Sequence, residues 1–353
     1  MTKVKDLKKL LKDKVFWSRI YIFITLAVLI IFGIVNNEVK SFFGIITDLD
    51  SLYIILAVIV VLIFLFFEGW VIHYLLRSQK TDVTLWDSIK IGMIGLYYSF
   101  ITPSSTGGQP AQAAYLKRRN IPLGGSLAAM FLKFFAYQTA FMAISITSTI
   151  IMHQKLIEMG NMLIYFTYFG LFMNGLWLVI IPILFSRKCL KFLCDICIKL
   201  INKISFLKKY NLQDKINNFR NDFSDYSERF RKNKKEIFIS ILLSVPQAIL
   251  QMSILFFVYR AMGNHITGFI EITSMQTILQ AAVCFMPMPG ASGAQEIGFS
   301  AFMAPYFSEG SMFASVLIWR FFTYYIFILL GAVIIIIDQL TKPKPKNNKA
   351  ETE

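Results

Sequence analysis

The residues best suited to binding chemistry occur in two copies of one short motif. Residues 103–109 and 289–295 both fit the pattern P-x-x-[ST]-G-[GA]-Q. Each copy is followed by a match to [KR]-F-F-x-Y, whose basic residue is Lys133 in the first copy and Arg320 in the second. These cations lie 30 and 31 positions after the motif prolines. Each copy therefore combines a helix break with a positive charge, and together the copies could bind an anion.

The motif's own residues would strengthen an anion site. Proline suits the first turn of a helix, where a missing N–H costs no hydrogen bond, so we expect Pro103 and Pro289 to begin two returning half-helices. A helix N-terminus carries partial positive charge and readily receives phosphate or carboxylate. Gln109 and Gln295 would add side-chain amides at the same depth. The candidate substrate-binding residues are Pro103, Ser105, Thr106, Gly107, Gly108, Gln109, Lys133, Pro289, Ser292, Gly293, Gln295, Glu296 and Arg320.

The segments that carry these motifs are apolar enough to lie in a membrane. Of the 353 residues, 56% are hydrophobic and 16% are charged, and the mean hydropathy is +0.58. This composition excludes an ordinary soluble domain and predicts an all-α polytopic membrane protein. The six predicted full spans are Phe16–Val35, Leu52–Leu75, Gly124–Ile151, Met162–Phe185, Ile237–Tyr259 and Met312–Ile337.

The two motifs themselves lie between apolar segments that are too short to cross a bilayer fully. A short helix, a Pro/Gly tip and a second short helix predict a re-entrant hairpin at residues 102–116 and another at residues 287–304. Such backbone is stable at membrane depth only where protein or a water-filled cavity covers it. The flanking segments are Leu85–Ile101 with Gln109–Leu116, and Phe269–Met286 with Ile297–Ala304.

The positions of the 36 Lys and Arg residues indicate how the chain crosses the membrane. If six segments span and both hairpins return to the side they enter from, 31 of these residues lie in the cytoplasm, as the positive-inside rule requires. The two hairpins then enter from opposite sides, which predicts inverted repeats, an arrangement found in many carriers. The predicted regions are a basic N-terminus (1–15), a first membrane half (16–186), a basic cytoplasmic arm (187–235), a second membrane half (236–340) and a disordered basic tail (341–353).

The predicted cytoplasmic arm contains a regular pattern of apolar residues. They recur at steps of three and four, which predicts an amphipathic helix that lies on the membrane surface or packs under the bundle. These residues are Leu212, Ile216, Phe219, Phe223, Tyr226 and Phe230.

Lys133 and Arg320 would lie roughly 12–14 Å inside their spans at the helical rise per residue. A cation at that depth costs about 2.5–3.5 kcal/mol and must face a partner or a cavity. One alternative to a ligand is an internal ion pair, for which Glu68 and Glu296 are the available acids. A ligand site and an internal ion pair are compatible if the substrate replaces the acid as the partner of the cation. Glu296 also breaks the repeat, because Pro110 occupies the matching position, and we expect it to pair with Arg320 when substrate is absent.

The sequence contains no recognisable catalytic or metal-binding constellation. Cys194 and Cys197 have C-x-x-C spacing, but no second pair or nearby His completes a metal site, so we interpret them as reduced thiols. The net charge of +15 is explained by topology signals, and we expect no nucleic-acid partner. We expect no cofactor, and the sequence favours a protein that is not itself an enzyme.

Three segments resemble the lysylphosphatidylglycerol synthase transmembrane-region family, also called flippase-like integral membrane proteins. They comprise residues 102–109, 287–296 and 319–322, and the likeness covers about residues 10–340. In full-length bacterial members, the membrane part is associated with moving lysylphosphatidylglycerol between leaflets. A separate C-terminal soluble domain makes that lipid from lysyl-tRNA and phosphatidylglycerol. Because the chain ends at Glu353, the resemblance implies that this domain is missing.

The motifs and the resemblance together predict a translocator of an anionic or aminoacylated phospholipid, such as phosphatidylglycerol or lysylphosphatidylglycerol. Two alternatives are a component of phosphatidylglycerol lysyltransferase-type lipid modification and a carrier of a small soluble anion. The expected partners are phospholipid and the membrane, with a homo-oligomer or a separate lipid-modifying enzyme left open. The expected location is the bacterial cell membrane, with multiple spans and both termini in the cytoplasm.

Overall fold

The computed structural model describes residues 44–203 and 212–340, and within these residues every regular element is helical. The predicted first span, Phe16–Val35, the basic N-terminus and the basic tail lie outside the described residues. The helices before the arm are α1 (Ser51–Ser78), α2 (Leu85–Ile101), α3 (Gly108–Lys117), α4 (Leu123–Ile151), α5 (His153–Met159) and α6 (Asn161–Leu184).

The arm and the second part of the chain continue in the same way. The arm contains α7 (Arg187–Lys203) and α8 (Leu212–Lys232), and the helices after it are α9 (Lys234–Ala261), α10 (Phe269–Val283), α11 (Ala294–Phe302), α12 (Glu309–Arg320) and α13 (Ile326–Leu340). A π-helical turn, Phe321–Tyr325, joins α12 to α13.

Five helical units in the described residues are long and apolar enough to cross a membrane. They are α1, α4, α6, α9 and the continuous unit Glu309–Asp338, and they coincide with five of the six predicted spans. The all-α polytopic fold is therefore confirmed. Local signals set some of the helix starts: Asp50 caps α1 by accepting the Leu52 N–H at 2.9 Å, and Thr84 caps α2 by accepting the Asp87 N–H at 3.1 Å.

Each motif joins two short helices that pack against each other. Helix α2 contacts α3 across the first motif, and α10 contacts α11 across the second. Outside the motifs, α9 packs along α1 and α4, and α13 packs along α2. The two motif-bearing helix pairs therefore pack among the long helices.

The expectation that the motif prolines begin the returning half-helices was wrong. Those helices begin at Gly108 and Ala294, five residues after Pro103 and Pro289. The prolines instead begin two short 3₁₀ turns, Pro103–Ser105 and Pro289–Ala291.

The reason is backbone conformation within the turns. In each copy the two residues after the proline have positive φ: 51° and 54° at Ser104 and Ser105, and 58° and 49° at Gly290 and Ala291. A right-handed α-helix cannot continue through residues in that region. The two copies therefore share a backbone shape as well as a sequence pattern.

The arm packs on the membrane bundle through α8. The apolar stripe on this helix faces the start of α4, and Phe223 and Phe230 are buried there. Gly124 on α4 allows the close approach, because a Cβ at this position would lie 2.5 Å from the Phe219 carbonyl oxygen. Of the two placements predicted for this stripe, packing under the bundle is the one the structure has.

Candidate functional site

The candidate site lies where the two motif turns meet. The turns Pro103–Ser105 and Pro289–Ala291 contact each other, and the second turn also contacts α2. Residues separated by more than 180 positions in sequence are thereby brought together at the ends of four short helices. The two copies of the motif, which the sequence suggested as halves of one site, are therefore in contact.

In the second copy, Arg320 is bound directly to its own motif. Its Nε donates to Glu296 Oε1 at 2.7 Å, and its Nη2 donates to Ser292 Oγ at 3.1 Å and to the Gly290 carbonyl at 3.3 Å. The guanidinium also lies 4.6 Å from the centre of the Tyr324 ring. Arg320 is only 4% exposed. These contacts therefore compensate for the hydration that the cation loses on burial.

Glu296 joins this cation to the start of α11. Its second carboxylate oxygen accepts the Gly293 N–H at 2.5 Å, which caps the helix. Gly293 has φ 88°, a conformation that favours glycine. One carboxylate therefore holds both the arginine and the returning helix, and the Glu296–Arg320 pair that the sequence offered is formed.

In the first copy, Lys133 is bound to a different part of the bundle. Its Nζ lies 2.5 Å from Glu68 Oε1, so the pair links α4 to α1. Glu68 Oε2 also accepts from Gln247 Nε2 on α9 at 2.5 Å. Glu68 is 2% exposed and the Lys133 side chain 15%. Among the described residues, no hydrogen bond or ion pair joins Lys133 to residues 103–109, so the two copies use their cations differently.

The turns also differ in exposure. In the first turn, Pro103, Ser105 and Thr106 are exposed, and Thr102 Oγ1 accepts the Gly107 N–H at 2.9 Å. Gly108 is buried and Gln109 is half-buried.

The second turn is more enclosed than the first. Pro289, Ser292, Gln295 and Glu296 are all buried there. Together with Arg320, they form the enclosed side of the site, whereas the first turn forms the accessible side.

A cavity of about 80 Å³ lies between the turns. Three of the predicted residues, Ser105, Gln295 and Arg320, line it, together with Gln276 and Trp319. Among the described residues, three polar atoms in these buried side chains have no hydrogen-bond partner: Gln276 Oε1, Gln295 Oε1 and Trp319 Nε1. Unsatisfied buried polar groups are rare in folded proteins and cost about 1–3 kcal/mol each, so the cavity is suited to a polar occupant.

Sequence reasoning missed the glutamines that build this cavity. Gln276 and Gln280 occur four residues apart on α10, and Gln247 and Gln251 occur four residues apart on α9. Gln280 Oε1 accepts from Gln295 Nε2 at 2.9 Å. Residues spaced by four share a helix face, and polar residues are uncommon in spans. This spacing within apolar segments was the signal that could have identified them.

The α9 glutamines connect the two charged pairs. Gln247 donates to Glu68, whereas Gln251 lines the cavity and accepts from Tyr137 at 2.5 Å. Tyr137 lies one helical turn after Lys133 on α4. A continuous line of polar side chains therefore runs from the Lys133 pair to the cavity beside Arg320.

Both buried cations have the internal partners that the sequence offered as an alternative to a ligand. Each buried cation is matched by one buried acid, Lys133 by Glu68 and Arg320 by Glu296. In this conformation the internal ion pairs are formed, and the cavity between them is lined by neutral amides and one compensated arginine. The arrangement can offer both a cation and a carboxylate to a ligand, provided that the ligand replaces one member of a pair.

The fold and this site define a multi-pass α-helical membrane protein with a polar site between two broken helices. Residues 18–331 match the family described as the lysylphosphatidylglycerol synthase TM region, and the chain belongs to that family. No curated protein and no solved structure matches the chain.

Proposed function

We propose that the protein moves phospholipids between the leaflets of a membrane, and that the headgroup passes between the two motif turns. The proposed substrate has an anionic or aminoacylated headgroup, such as phosphatidylglycerol or lysylphosphatidylglycerol. The observation that carries the proposal is the polar cavity between the turns, which is lined by Arg320 of one buried ion pair and by Gln251, one helical turn from the Gln247 that donates to Glu68 of the other pair. The family of the chain is consistent with this substrate class.

The two ion pairs support a mechanism of partner exchange. A headgroup phosphate would replace Glu296 as the partner of Arg320, since the guanidinium offers two directed donors to a planar or tetrahedral anion. The released carboxylate would then accept a headgroup hydroxyl or ammonium group. A lone buried charge is strongly disfavoured, so coupled exchange keeps each charged group paired or hydrogen-bonded while the headgroup is bound.

The size of the cavity bears on how a headgroup would enter the site. About 80 Å³ holds a few water molecules, whereas ligand pockets commonly measure about 300–1,000 Å³. We infer that the headgroup enters only after the two turns separate, and that the present contact between Pro103–Ser105 and Pro289–Ala291 closes the path.

The acyl chains would stay in the bilayer during this passage. Helix α6 is suited to face lipid, because only 22% of its most apolar 18-residue stretch is buried inside the protein. We further propose that the protein resides in the bacterial cell membrane with both termini in the cytoplasm, and that the two motif hairpins enter from opposite sides. This orientation rests on the distribution of the Lys and Arg residues.

Reconstitution into liposomes tests the proposed activity. Labelled phosphatidylglycerol or lysylphosphatidylglycerol should exchange between leaflets faster in vesicles that contain the protein than in matched empty vesicles. Exchange at the empty-vesicle rate, with folded protein at verified density, would refute it. A soluble phosphate monoester present in excess should leave the exchange rate unchanged, which separates a lipid translocator from a carrier of small anions.

Comparing lipids from cells with and without the gene separates translocation from lipid modification. The proposed function predicts the same lipid species in both extracts and a changed exposure of the lipid on one leaflet. Loss of one lipid species would instead support a component of a lipid-modifying system.

A further inference from the structure

Helix α7 has an apolar face that the rest of the described protein leaves uncovered. One part of its surface is buried against the bundle through Leu190 and Cys194. The next part of the same helix consists of large apolar residues that are exposed: Phe192, Leu193, Ile196 and Leu200, of which Phe192 is 64% and Leu200 57% exposed. Their spacing of three and four places them on one continuous face.

Three lysines of α7 border the exposed apolar face. The helix contains five basic residues and a single acid, Asp195. Lys188, Lys199 and Lys203 are exposed next to the apolar face, where long basic side chains can extend past an apolar boundary and keep their charge in water. An apolar face bordered by lysines is the composition of helices that lie in the interface of an anionic membrane.

A second group of cations lies on the side of α7 that faces α8, roughly opposite the exposed apolar face. A cavity of about 450 Å³ lies between α7 and α8. It is lined by Arg187, Lys191, Arg220, Asn221, Ser224 and Asp225. Three cations face one acid in this lining, and the hydroxyl and amide groups are additional donors for an anion.

The position of α7 in the chain places it at a membrane boundary. Helix α6 is a candidate span that ends at Leu184, and α7 begins at Arg187, after a connection of only two residues. The first turn of α7 is thus held at the end of a span. A helix in this position can lie along the bilayer surface without any further change in the fold.

We propose that α7 docks on the surface of an anionic phospholipid leaflet, with its exposed apolar face in the headgroup boundary and its basic residues against lipid phosphates. Continuity with the α6 span and complementarity of charge both favour lipid as the occupant of this face. The inference does not depend on lipid translocation, because a membrane protein of any function could use such a contact.

The contact would tie the leaflet to the bundle through α8. Helix α7 packs against α8, and α8 packs against the start of α4, the helix that carries Lys133. Docking of α7 would therefore fix the end of the Lys133 span relative to the membrane surface.

The chain's own cysteines provide the test. Cys197 is exposed and shares a helix face with Leu193 and Leu200, so lipid should shield it from a water-soluble maleimide. Cys194, one turn away, is the unreactive internal control, because burial also raises the pKa of its thiol. Asn202→Cys, on the polar side of α7, is the matched reactive control, since Asn202 is exposed.

We expect labelling of Cys197 in vesicles rich in phosphatidylglycerol to be at least about tenfold slower than labelling of Asn202→Cys, because the apolar face lies below the headgroups. In vesicles of phosphatidylcholine alone, or at about 1 M salt, where charges are screened within about 3 Å, Cys197 should become reactive. Equal rates at Cys197 and Asn202→Cys in the anionic vesicles would overturn the proposal. Equal protection of Cys197 in anionic and neutral vesicles would also overturn it, because protein would then cover the face.

Discussion

The ion pair between Lys133 and Glu68 makes a quantitative prediction about stability. Replacing Lys133 by Met leaves the Glu68 carboxylate, which is 2% exposed, with the Gln247 amide as its one hydrogen-bond partner among the described residues. Removing one member of a buried ion pair costs about 3–5 kcal/mol. Because the Lys133 side chain retains some exposure, the lower end of that range applies, so we expect Lys133→Met to lose about 3 kcal/mol of unfolding free energy.

The matched variant removes both charges. In Glu68→Gln with Lys133→Met, the neutral amide keeps the acceptor for Gln247 and no unpaired charge remains. Replacing both members of a buried pair is commonly neutral or stabilising by about 1–4 kcal/mol. The double variant should therefore be at least as stable as the natural protein, and Glu68→Gln alone should be less stable than the double variant.

Reversible unfolding of the purified protein in a lipid–detergent mixture measures these differences. The four proteins, namely natural, two single variants and the double variant, form a cycle whose coupling energy we expect to be about 3 kcal/mol or more. A coupling energy near zero would show that the two side chains do not interact in the folded protein. It would refute the geometry on which the buried pair rests.

Two glycine positions give further predictions. Gly290→Ser should lower the free energy of unfolding by about 1–3 kcal/mol, because a Cβ at this position would lie 2.1 Å from the Tyr324 ring. Ser104→Gly, at the matching exposed position with φ 51°, should raise the free energy of unfolding by roughly 1 kcal/mol. Thermal unfolding of the two variants compares these effects. Gly124→Ala should weaken the packing of the arm, because its Cβ would meet the α8 backbone, and should therefore speed proteolysis between residues 187 and 235. Gly310→Ala is the control: its Cβ would meet no described atom within 4 Å, so the rate of proteolysis should stay unchanged.

Much of the fold could be predicted because its signals are local. Spans are long apolar runs, and five of them were located from hydropathy alone. The returning helices were placed too early because the positive φ values at Ser105 and Ala291 have no clear sequence signature. Neither residue is the glycine or asparagine that usually marks this conformation, so packing of the two turns against each other is needed to hold it.

The partners of the two cations show where sequence reasoning reached its limit. Glu296 lies in the same repeat as Arg320. The first copy of the motif has Pro110 at the matching position, and this difference drew attention to Glu296 as a partner for Arg320. Glu68 is 65 residues from Lys133, and only the packing of three long helices brings the two together. The cavity glutamines were missed for the same reason, because their common face becomes a site only when α9 and α10 meet the motif turns.

The central claim is that the headgroup passes the site beside Arg320 by exchanging its partners. The direct measurement is leaflet exchange of labelled phosphatidylglycerol in liposomes, with the natural protein compared with the charge-neutral variant Glu296→Gln with Arg320→Met. Because both charges are removed together, the variant should stay folded, which a matching unfolding curve verifies. We predict rapid exchange with the natural protein and exchange near the empty-liposome rate with the folded variant. Equal exchange by the two proteins, or none by the natural protein, would contradict the account.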